Sequence, residues 1–533
     1  METIQKPARI LIIALLFSLL YQILTWKNIS GLAFWGVSTA LAVSGALALL
    51  FEKKKVAPAG MALILWIVVF SAVPFFRLEP FTVAAAVLLT LFGLCALALT
   101  ARGGSWIHFG WLDWLVGGFK LVIAGLSGGF VLLGSIGSTS TESSESTPGR
   151  KRILGPVLVG LLLGLPVMLV FGVLLSEADP IFGDLLKRAF SWLTIERLPE
   201  YIWRTIYLVF VAFIAAGVLR YSLLHSAEPR LAGGEKPLQM TFLGIIQSGI
   251  VLGGVILMFA LFVGVQFRYF FGGQANIERG GYTYSDYAVR GFTELVVVAV
   301  LSLLLFYLLS VVTRRENGHE RLWFSGLGTI LIALVGVMLV SAYQRLLMYE
   351  MAYGFSRLRT VSHIFMIFLG VLLAVVLALE WTGRMQKFTL AVILMAAGLG
   401  AALAVMNVDS FILHQNLART TRGEELDGSY LTQLSDDLLP AAVEAFENTP
   451  AGAVRDQLGA LLSCRALSAE LQPLTDWRQF HAGQARARES LNKVLPELKS
   501  YQLLWKEDNY QWQGTFGGQE LFCPKYSNGA WMD

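Results

Sequence analysis

Long apolar runs separated by short polar stretches dominate the first 407 residues of the chain. A helix needs about 20 mostly apolar residues to cross the roughly 30 Å of hydrocarbon in a bilayer. The pattern therefore predicts eleven membrane-spanning helices. They cover residues 10–26, 29–51, 59–76, 81–101, 153–176, 203–224, 240–267, 291–313, 322–343, 361–381 and 388–407.

One further stretch, residues 111–136, is less regular. Trp111 and Trp114 are interleaved with Asp113 and Lys120 before a glycine-rich apolar run begins. This pattern is typical of a helix that lies in the membrane interface, or of an imperfect span. The sequence thus predicts eleven spans, and twelve if this stretch also crosses.

The last 126 residues differ in composition from the rest. From Val408 onward the chain carries 11 Lys and Arg against 17 Asp and Glu, whereas the first 407 residues carry 30 against 20. Capped, periodic segments in this tail are typical of helical hairpins. We therefore expect an all-α protein: a polytopic transmembrane helix bundle over 1–407, with a linker near 138–152, and a small, mostly helical extramembrane tail domain over 408–533.

Composition excludes several classes of protein. Apolar residues make up 56% of the chain, charged residues only 15%, and the mean hydropathy is +0.63, so a soluble enzyme is excluded. No phosphate-binding loop, dinucleotide-binding turn or zinc-protease pair occurs, which disfavours an ATP-driven pump and a zinc protease. No basic patch interleaved with aromatic residues is present, so nucleic acid is not an expected partner. We predict no cofactor, no metal and no catalytic residue.

Basic residues indicate the orientation, because they are enriched in cytoplasmic loops. With eleven spans and a cytoplasmic amino terminus, 18 Lys and Arg lie inside and 12 outside; with 111–136 also crossing, the balance is 16 to 13. The count favours eleven spans, a cytoplasmic linker and an extracytoplasmic tail. In an oxidising compartment the two thiols of the tail, Cys464 and Cys523, are expected to form a disulfide, whereas Cys95 lies in a span and should stay reduced.

Polar residues near the outer ends of the spans are the candidate site. Asp286, Arg290 and Glu294 are four residues apart, so on a helix they form one stripe of alternating charge. Such a stripe is either a structural ion network or part of a binding site. Asp179, which precedes Pro180, either adds a polar side chain to this site or forms a turn that ends a helix.

A second stripe contains Arg345, Tyr349, Tyr353 and Arg357, followed by Arg359. These residues either anchor a helix among the lipid headgroups or bind an anionic group such as a phosphate or carboxylate. With the first stripe they could line one ligand-binding cavity at the outer face.

Several blocks of sequence resemble those of an uncharacterised family of bacterial polytopic membrane proteins, of the domain-of-unknown-function 4153/4173 type. The resemblance covers roughly residues 150–440 and implies a bacterial cytoplasmic (inner) membrane protein, without an activity. The blocks are Ala178–Phe182, Tyr287–Leu295, Tyr353–Arg359, Asn407–Ser410, Asn416–Arg419, Tyr430–Leu431 and Leu434–Asp437.

The function expected from these observations is that of a receptor-like or accessory subunit of the envelope, which binds a ligand or partner through the outer cavity and the tail. The alternative is a secondary carrier for an anionic lipid or solute, and an enzyme ranks third. The expected partners are the lipid bilayer, an anionic lipid or solute, and an envelope protein that contacts the tail.

Overall fold

The protein is described by a computed structural model. It describes residues 4, 6–27, 30–138, 198–229, 242–271, 292–471, 476–501, 503–506, 511–516 and 519–523, with scattered positions between 160 and 183.

Eleven helices of these described residues are long and apolar enough to cross a membrane. Each contains a strongly apolar stretch of 18 residues with at most two charged side chains. The helices are α1 (Pro7–Thr25), α2 (Gly31–Phe51), α3 (Pro58–Phe76), α4 (Pro80–Thr100), α5 (Trp111–Ser138), α6 (Leu198–His225), α7 (Ile245–Phe271), α8 (Phe292–Val312), α9 (Gly318–Tyr353), α10 (Arg357–Trp381) and α11 (Phe388–Met406).

Ten of these helices match ten predicted spans, and the all-α polytopic bundle is confirmed. The predicted span 153–176 lies mostly outside the described residues. Helix α9 is longer than predicted, because its polar last three turns continue the helix to Tyr353.

Helix α5 corresponds to the irregular stretch 111–136. Its exposed face carries apolar side chains three or four residues apart along most of its length, namely Leu115, Phe119, Val122, Leu126 and Phe130. An interfacial helix would instead turn a polar face to water. The Asp113 carboxylate, which suggested amphipathic character, is buried and accepts a hydrogen bond from the Gly110 N–H at 3.0 Å. These features favour the spanning interpretation of α5.

The chain divides into two compact units. The first comprises residues 1–72 and 90–232. In it, α5 and α6 run antiparallel and approach closely at glycines: a Cβ atom at Gly128 would lie 2.8 Å from the Gly217 Cα. Small residues at such crossings allow backbones to pack directly, as is common between membrane helices. Helix α1 is tied to α6 by Gln22, whose side-chain amide donates to the Arg204 carbonyl at 2.6 Å.

The second unit comprises residues 73–89 and 233–533. Its spans pack around a core centred on α9, in which Phe324, Leu331 and Val335 are fully buried. The turn 354–356 and Asn407 lie at the tail end of these helices, because Phe355 donates its backbone N–H to Asn416 and Asn407 donates its side-chain amide to the Asp437 carbonyl, both in the tail domain. At the opposite end, Leu243 pairs with Thr313 in an isolated bridge.

The tail domain, also in the second unit, is mostly helical. Its core contains Leu438, Phe446, Leu458 and Leu461, all essentially inaccessible to solvent. The helices are α12 (Val408–Thr420), α13 (Gly428–Thr432), α14 (Leu439–Asn448), α15 (Ala453–Leu471) and α16 (Ala482–Leu498).

A small antiparallel sheet follows α16, which the hydrophobic pattern did not predict. Its order is β1-β2-β3, from β1 (Leu504–Lys506), β2 (Gln511–Phe516) and β3 (Gln519–Phe522). Cys464 of α15 forms a disulfide with Cys523, directly after β3, across a sequence separation of 59 residues. The disulfide thus fastens the end of the sheet to the helical core.

Replacement of Gly217 by alanine should separate α5 from α6. The added methyl group would overlap the carbonyl oxygen of Ala124 and lie 2.9 Å from that of Gly125, and neither backbone group can yield. Overpacking of this kind costs about 1–3 kcal/mol. We expect a lower melting temperature of the purified protein in detergent.

The matched control is Gly118→Ala on α5, where the new methyl group meets no atom within 4 Å. This variant should melt at or slightly above the wild-type temperature, because alanine favours helix more than glycine. Equal melting of the Gly217 variant and the wild type would show that the two helices do not pack as described.

Candidate functional site

Arg357 lies at the junction between two spans rather than on one continuous stripe. Helix α9 ends at Tyr353, and Gly354 follows with φ of 81°, a left-handed conformation that glycine adopts without strain. Arg357 is then the first residue of α10. The four-residue spacing from Arg345 to Arg357 therefore does not correspond to one helical face.

The Arg357 guanidinium forms a two-pronged ion pair with Asp409, at the start of α12. Its Nε donates to Asp409 Oδ1 at 2.8 Å, and its Nη2 donates to Oδ2 at 2.6 Å. The Asp409 side chain is fully buried, whereas that of Arg357 is 18% exposed. This planar geometry is specific to arginine, since a lysine ammonium offers no matching fork.

Three further side chains complete this arrangement. The Ser435 hydroxyl and backbone N–H both donate to Asp409 Oδ2, at 2.6 and 2.7 Å. The Tyr430 hydroxyl accepts from the Arg357 backbone N–H at 2.8 Å, and Glu79 Oε1 lies 3.8 Å from Arg357 Nε. We call these five residues, Arg357, Asp409, Glu79, Tyr430 and Ser435, the ionic joint.

A second contact joins the tail to the loop between α3 and α4. Asp437 Oδ2 accepts hydrogen bonds from the backbone N–H groups of Leu78 and Glu79, at 2.7 and 3.0 Å. Burial raises the pKa of Asp437 above its usual range, and these two N–H donors offset part of the rise. The tail is thus bonded to the spans through both Asp409 and Asp437.

The charged groups of the ionic joint already bond to one another. Two of the guanidinium nitrogens of Arg357 already donate to a carboxylate, and that carboxylate has two further donors in Ser435. A buried pair with its hydrogen bonds made keeps its groups in a fixed geometry. The arrangement therefore connects α10 to two parts of the tail, α12 and the segment that contains Tyr430 and Ser435, and it is better suited to holding them together than to binding an external anion.

The remaining residues of the second predicted stripe have separate surroundings. Arg345 is buried within the bundle, whereas Tyr353 is exposed. The Tyr349 ring packs edge-on against Tyr353 at 5.1 Å, and the Arg359 guanidinium lies 3.9 Å from the Tyr349 ring centre. This last contact is a cation–π interaction that an interfacial anchor would use.

The first predicted stripe is described only in part. Asp286 and Arg290 lie outside the described residues, and Glu294 is exposed near the start of α8. Asp179 belongs to the first unit, and its carboxylate accepts from the Ile181 N–H at 2.8 Å. That bond is the local turn expected of an Asp-Pro sequence.

Sequence reasoning missed two further buried acids in the spans. Glu350 is fully buried on α9, and its carboxylate lies 3.2 Å from His363 Nδ1. Glu380 on α10 pairs with Arg315 and accepts hydrogen bonds from Ser310 and Ser325 at 2.8 and 3.1 Å. Glu380 stands at the end of an apolar run, which could have signalled it, whereas Glu350 lies in the polar last turns of α9 and has no such signal.

These features define a multi-pass α-helical membrane protein with an extramembrane tail tied to its spans. Residues 60–445 match the family described as Domain of unknown function (DUF4153), and since the match covers well over half of the chain, the chain belongs to this family. All five residues of the ionic joint lie within the match. No curated protein and no solved structure matches the chain.

Removing one partner of the ionic joint should destabilise the protein more than removing both. Arg357→Met leaves the Asp409 carboxylate buried without its counter-charge and should cost about 3–5 kcal/mol. Asp409→Asn should cost less, because Glu79 still lies 3.8 Å from the guanidinium. The double variant should lose less than the sum of the two. Thermal or denaturant unfolding in detergent, arranged as a double-mutant cycle, measures the coupling.

Arg422→Met is the matched control, because Arg422 is an exposed arginine of the same domain. Its unfolding should be unchanged. If the losses in unfolding free energy at Arg357 and Asp409 are strictly additive, the two side chains do not interact directly.

The stability of the tail should decrease below about pH 6.5, the ordinary pKa of histidine. Burial lowers the pKa of His481, whose Nε2 lies 2.9 Å from the Pro74 carbonyl oxygen and whose Nδ1 caps α16 at the Gln484 N–H. The charge of Arg486 also lowers this pKa, whereas that of Asp436 opposes the shift. The folded state therefore binds a proton less readily than the unfolded state, so stability is complete above the ordinary pKa and falls with pH below it.

His481→Asn retains a capping oxygen but cannot titrate, so its melting temperature should vary less with pH over this range. His414→Asn, at an exposed histidine of α12, serves as the control and should keep the wild-type pH profile. Parallel profiles for wild type and His481→Asn would exclude His481 as the titrating group.

Proposed function

We propose that this chain is a receptor-like or accessory protein of the bacterial cytoplasmic membrane, whose tail presents a binding surface to a partner in the envelope. The observation that carries the proposal is the ionic joint. Arg357, one of the residues of the expected ligand site, bonds to Asp409 and so attaches the tail domain to α10. A tail held in this way can display a surface at a constant position above the membrane.

The connectivity of the chain supports an extracytoplasmic tail. Three helices that could cross the membrane, α1 to α3, separate the basic amino-terminal segment from loop 77–79, so three crossings from a cytoplasmic amino terminus would bring this loop to the outer side. Loop 77–79 is hydrogen-bonded to Asp437 of the tail. The tail reaches the same side by chain count if α4 to α11 are the only later crossings, because eight crossings return the chain to the side of loop 77–79, whereas a ninth would place the tail on the opposite side.

The disulfide between Cys464 and Cys523 agrees with this orientation. Disulfides persist in oxidising compartments such as the bacterial periplasm and are rare in the cytosol. The disulfide joins α15 to the end of β3, so the sheet is a stable part of the domain.

The sheet offers the binding surface. In the order β1-β2-β3, strand β1 is an edge strand. Its neighbouring residues Leu504 and Trp505 are 67% and 46% exposed, although they point to opposite faces. An edge strand with exposed apolar side chains is a template on which an extended segment of another protein can add a strand.

Photo-crosslinking in living cells tests the proposal. A photoreactive phenylalanine analogue at position 504 should yield one discrete crosslinked product, and the same residue at Glu447, an exposed position of α14, should yield none. Trp505→Ser, made in the position-504 background, should weaken the product. Identical products from positions 504 and 447, or none from 504, would refute a partner at β1.

The rival function, a carrier for an anionic lipid, is favoured by one feature of the first unit. An apolar cleft among α2, α3, α4 and α6 ends at Ala101 and Ser222. Next to this end, Lys54 and Arg102 both donate to the Leu223 carbonyl, at 2.9 and 3.0 Å. An apolar slot beside two cations matches the chemistry of an anionic lipid, although its volume of about 40 Å³ admits only the end of an acyl chain.

The rival has a separate test. Gly45 lines the cleft, and a Cβ atom at this position would meet nothing within 4 Å, so Gly45→Leu should fill the cleft. Native mass spectrometry that finds a copurified anionic phospholipid, lost in Gly45→Leu but kept in the lipid-facing control Gly254→Leu, would favour the carrier.

A further inference from the structure

One segment of the tail packs against the end of a span. The Phe480 ring lies 5.9 Å from that of Phe75, in the last turn of α3, and His481 is hydrogen-bonded to the Pro74 carbonyl. A Cβ atom at Gly483 would lie 2.7 Å from the Phe76 carbonyl oxygen, so the two backbones are nearly in contact. Residues 477–486 therefore lie beside the end of α3.

The length of α3 indicates the depth of this contact in the membrane. The helix has 19 residues, from Pro58 to Phe76. At about 1.5 Å per residue it measures roughly 28 Å, close to the thickness of the hydrocarbon core. Phe76 thus lies at the boundary between hydrocarbon and headgroups, and the charged residue Arg77 follows it directly. The tail segment beside Phe76 lies at the same level.

The exposed side chains here are large and mostly aromatic. Trp477, Phe480 and Phe76 are 65%, 44% and 42% exposed. Trp477 and Phe480 are three residues apart around a 3₁₀ turn, which brings them to the same side. The Arg486 guanidinium lies 5.9 Å from the Phe76 ring centre. We call Phe76, Trp477, Phe480 and Arg486 the interfacial patch.

The headgroup layer is the environment that matches this chemistry. Tryptophan combines an apolar ring with an N–H donor and is enriched at membrane surfaces, and arginine can extend its charge to phosphate groups while its stem stays among apolar atoms. The patch is also continuous with the lipid-facing end of α3. A protein partner would have to compete with lipid for this site.

We propose that the interfacial patch inserts into the headgroup layer of the leaflet on the tail side, so that the tail domain rests on the bilayer. The ionic joint fixes the tail to α10, and the patch supplies a second attachment, to lipid. This inference does not depend on the function proposed above or on which side of the membrane the tail occupies.

Site-directed fluorescence tests the proposal on the full-length protein. A Gln479→Cys variant, made with Cys95→Ala and with the disulfide left oxidised, is labelled with an environment-sensitive fluorophore. The protein is placed in phosphatidylcholine–phosphatidylglycerol nanodiscs. Lipid carrying a nitroxide near the headgroup should quench this probe strongly, and aqueous iodide should quench it weakly. A probe at Glu447, on exposed α14, should show the reverse.

Two substitutions connect the quenching with the patch itself. Trp477→Asp, in the Gln479→Cys background, places a charge where the ring should insert, so lipid quenching should fall several-fold; Trp477→Tyr should preserve it. An unchanged elution profile and an intact disulfide establish that each variant is folded. Iodide quenching at 479 equal to that at 447, or lipid quenching that survives Trp477→Asp, would overturn the proposal.

Discussion

A guanidinium and a carboxylate with little access to water hold the second unit of this protein together. Charges removed from water are costly unless their partners are placed accurately, so the Arg357–Asp409 pair tolerates little movement. Its members begin α10 and α12, and Ser435 links the pair to the turn that precedes α14. The last spans and the tail must therefore adopt one arrangement, because any other would leave a charge buried alone.

The opposite end of the same helices is fixed in a similar way. Glu380, near the end of α10, forms an ion pair with Arg315 and accepts hydrogen bonds from hydroxyl groups of α8 and α9. Helices in lipid gain little from the hydrophobic effect when they associate, so hydrogen bonds and close packing determine their register. With a charged pair near each end, α10 cannot slide along its axis without breaking one of them.

The sequence predicted the spans well, because each depends only on a local run of apolar residues. The sequence left open whether α5 crosses the membrane, because Asp113 and Lys120 look amphipathic in the chain although Asp113 is buried as a cap. The small sheet was missed because its aromatic residues and glycines are compatible with loop, strand or helix packing. Among the site residues, Arg357 was recognised as important, but its partner was not. Asp409 lies 52 residues away, and no periodic pattern relates residues on different helices.

The bonds between loop 77–79 and the tail also constrain the order of biogenesis. Leu78 and Asp437 are 359 residues apart, and His481 is 407 residues from Pro74. Since a chain is made from its amino terminus, α3 and α4 enter the bilayer long before the residues that complete their connecting loop exist. Until then the hairpin of α3 and α4 lies in the membrane while the backbone N–H groups of Leu78 and Glu79 are solvated by water or headgroups. Loop 77–79 acquires its bonds to the tail only when the last quarter of the polypeptide has left the ribosome and folded. A chain released early would therefore carry a loop without these bonds, which quality-control proteases can recognise.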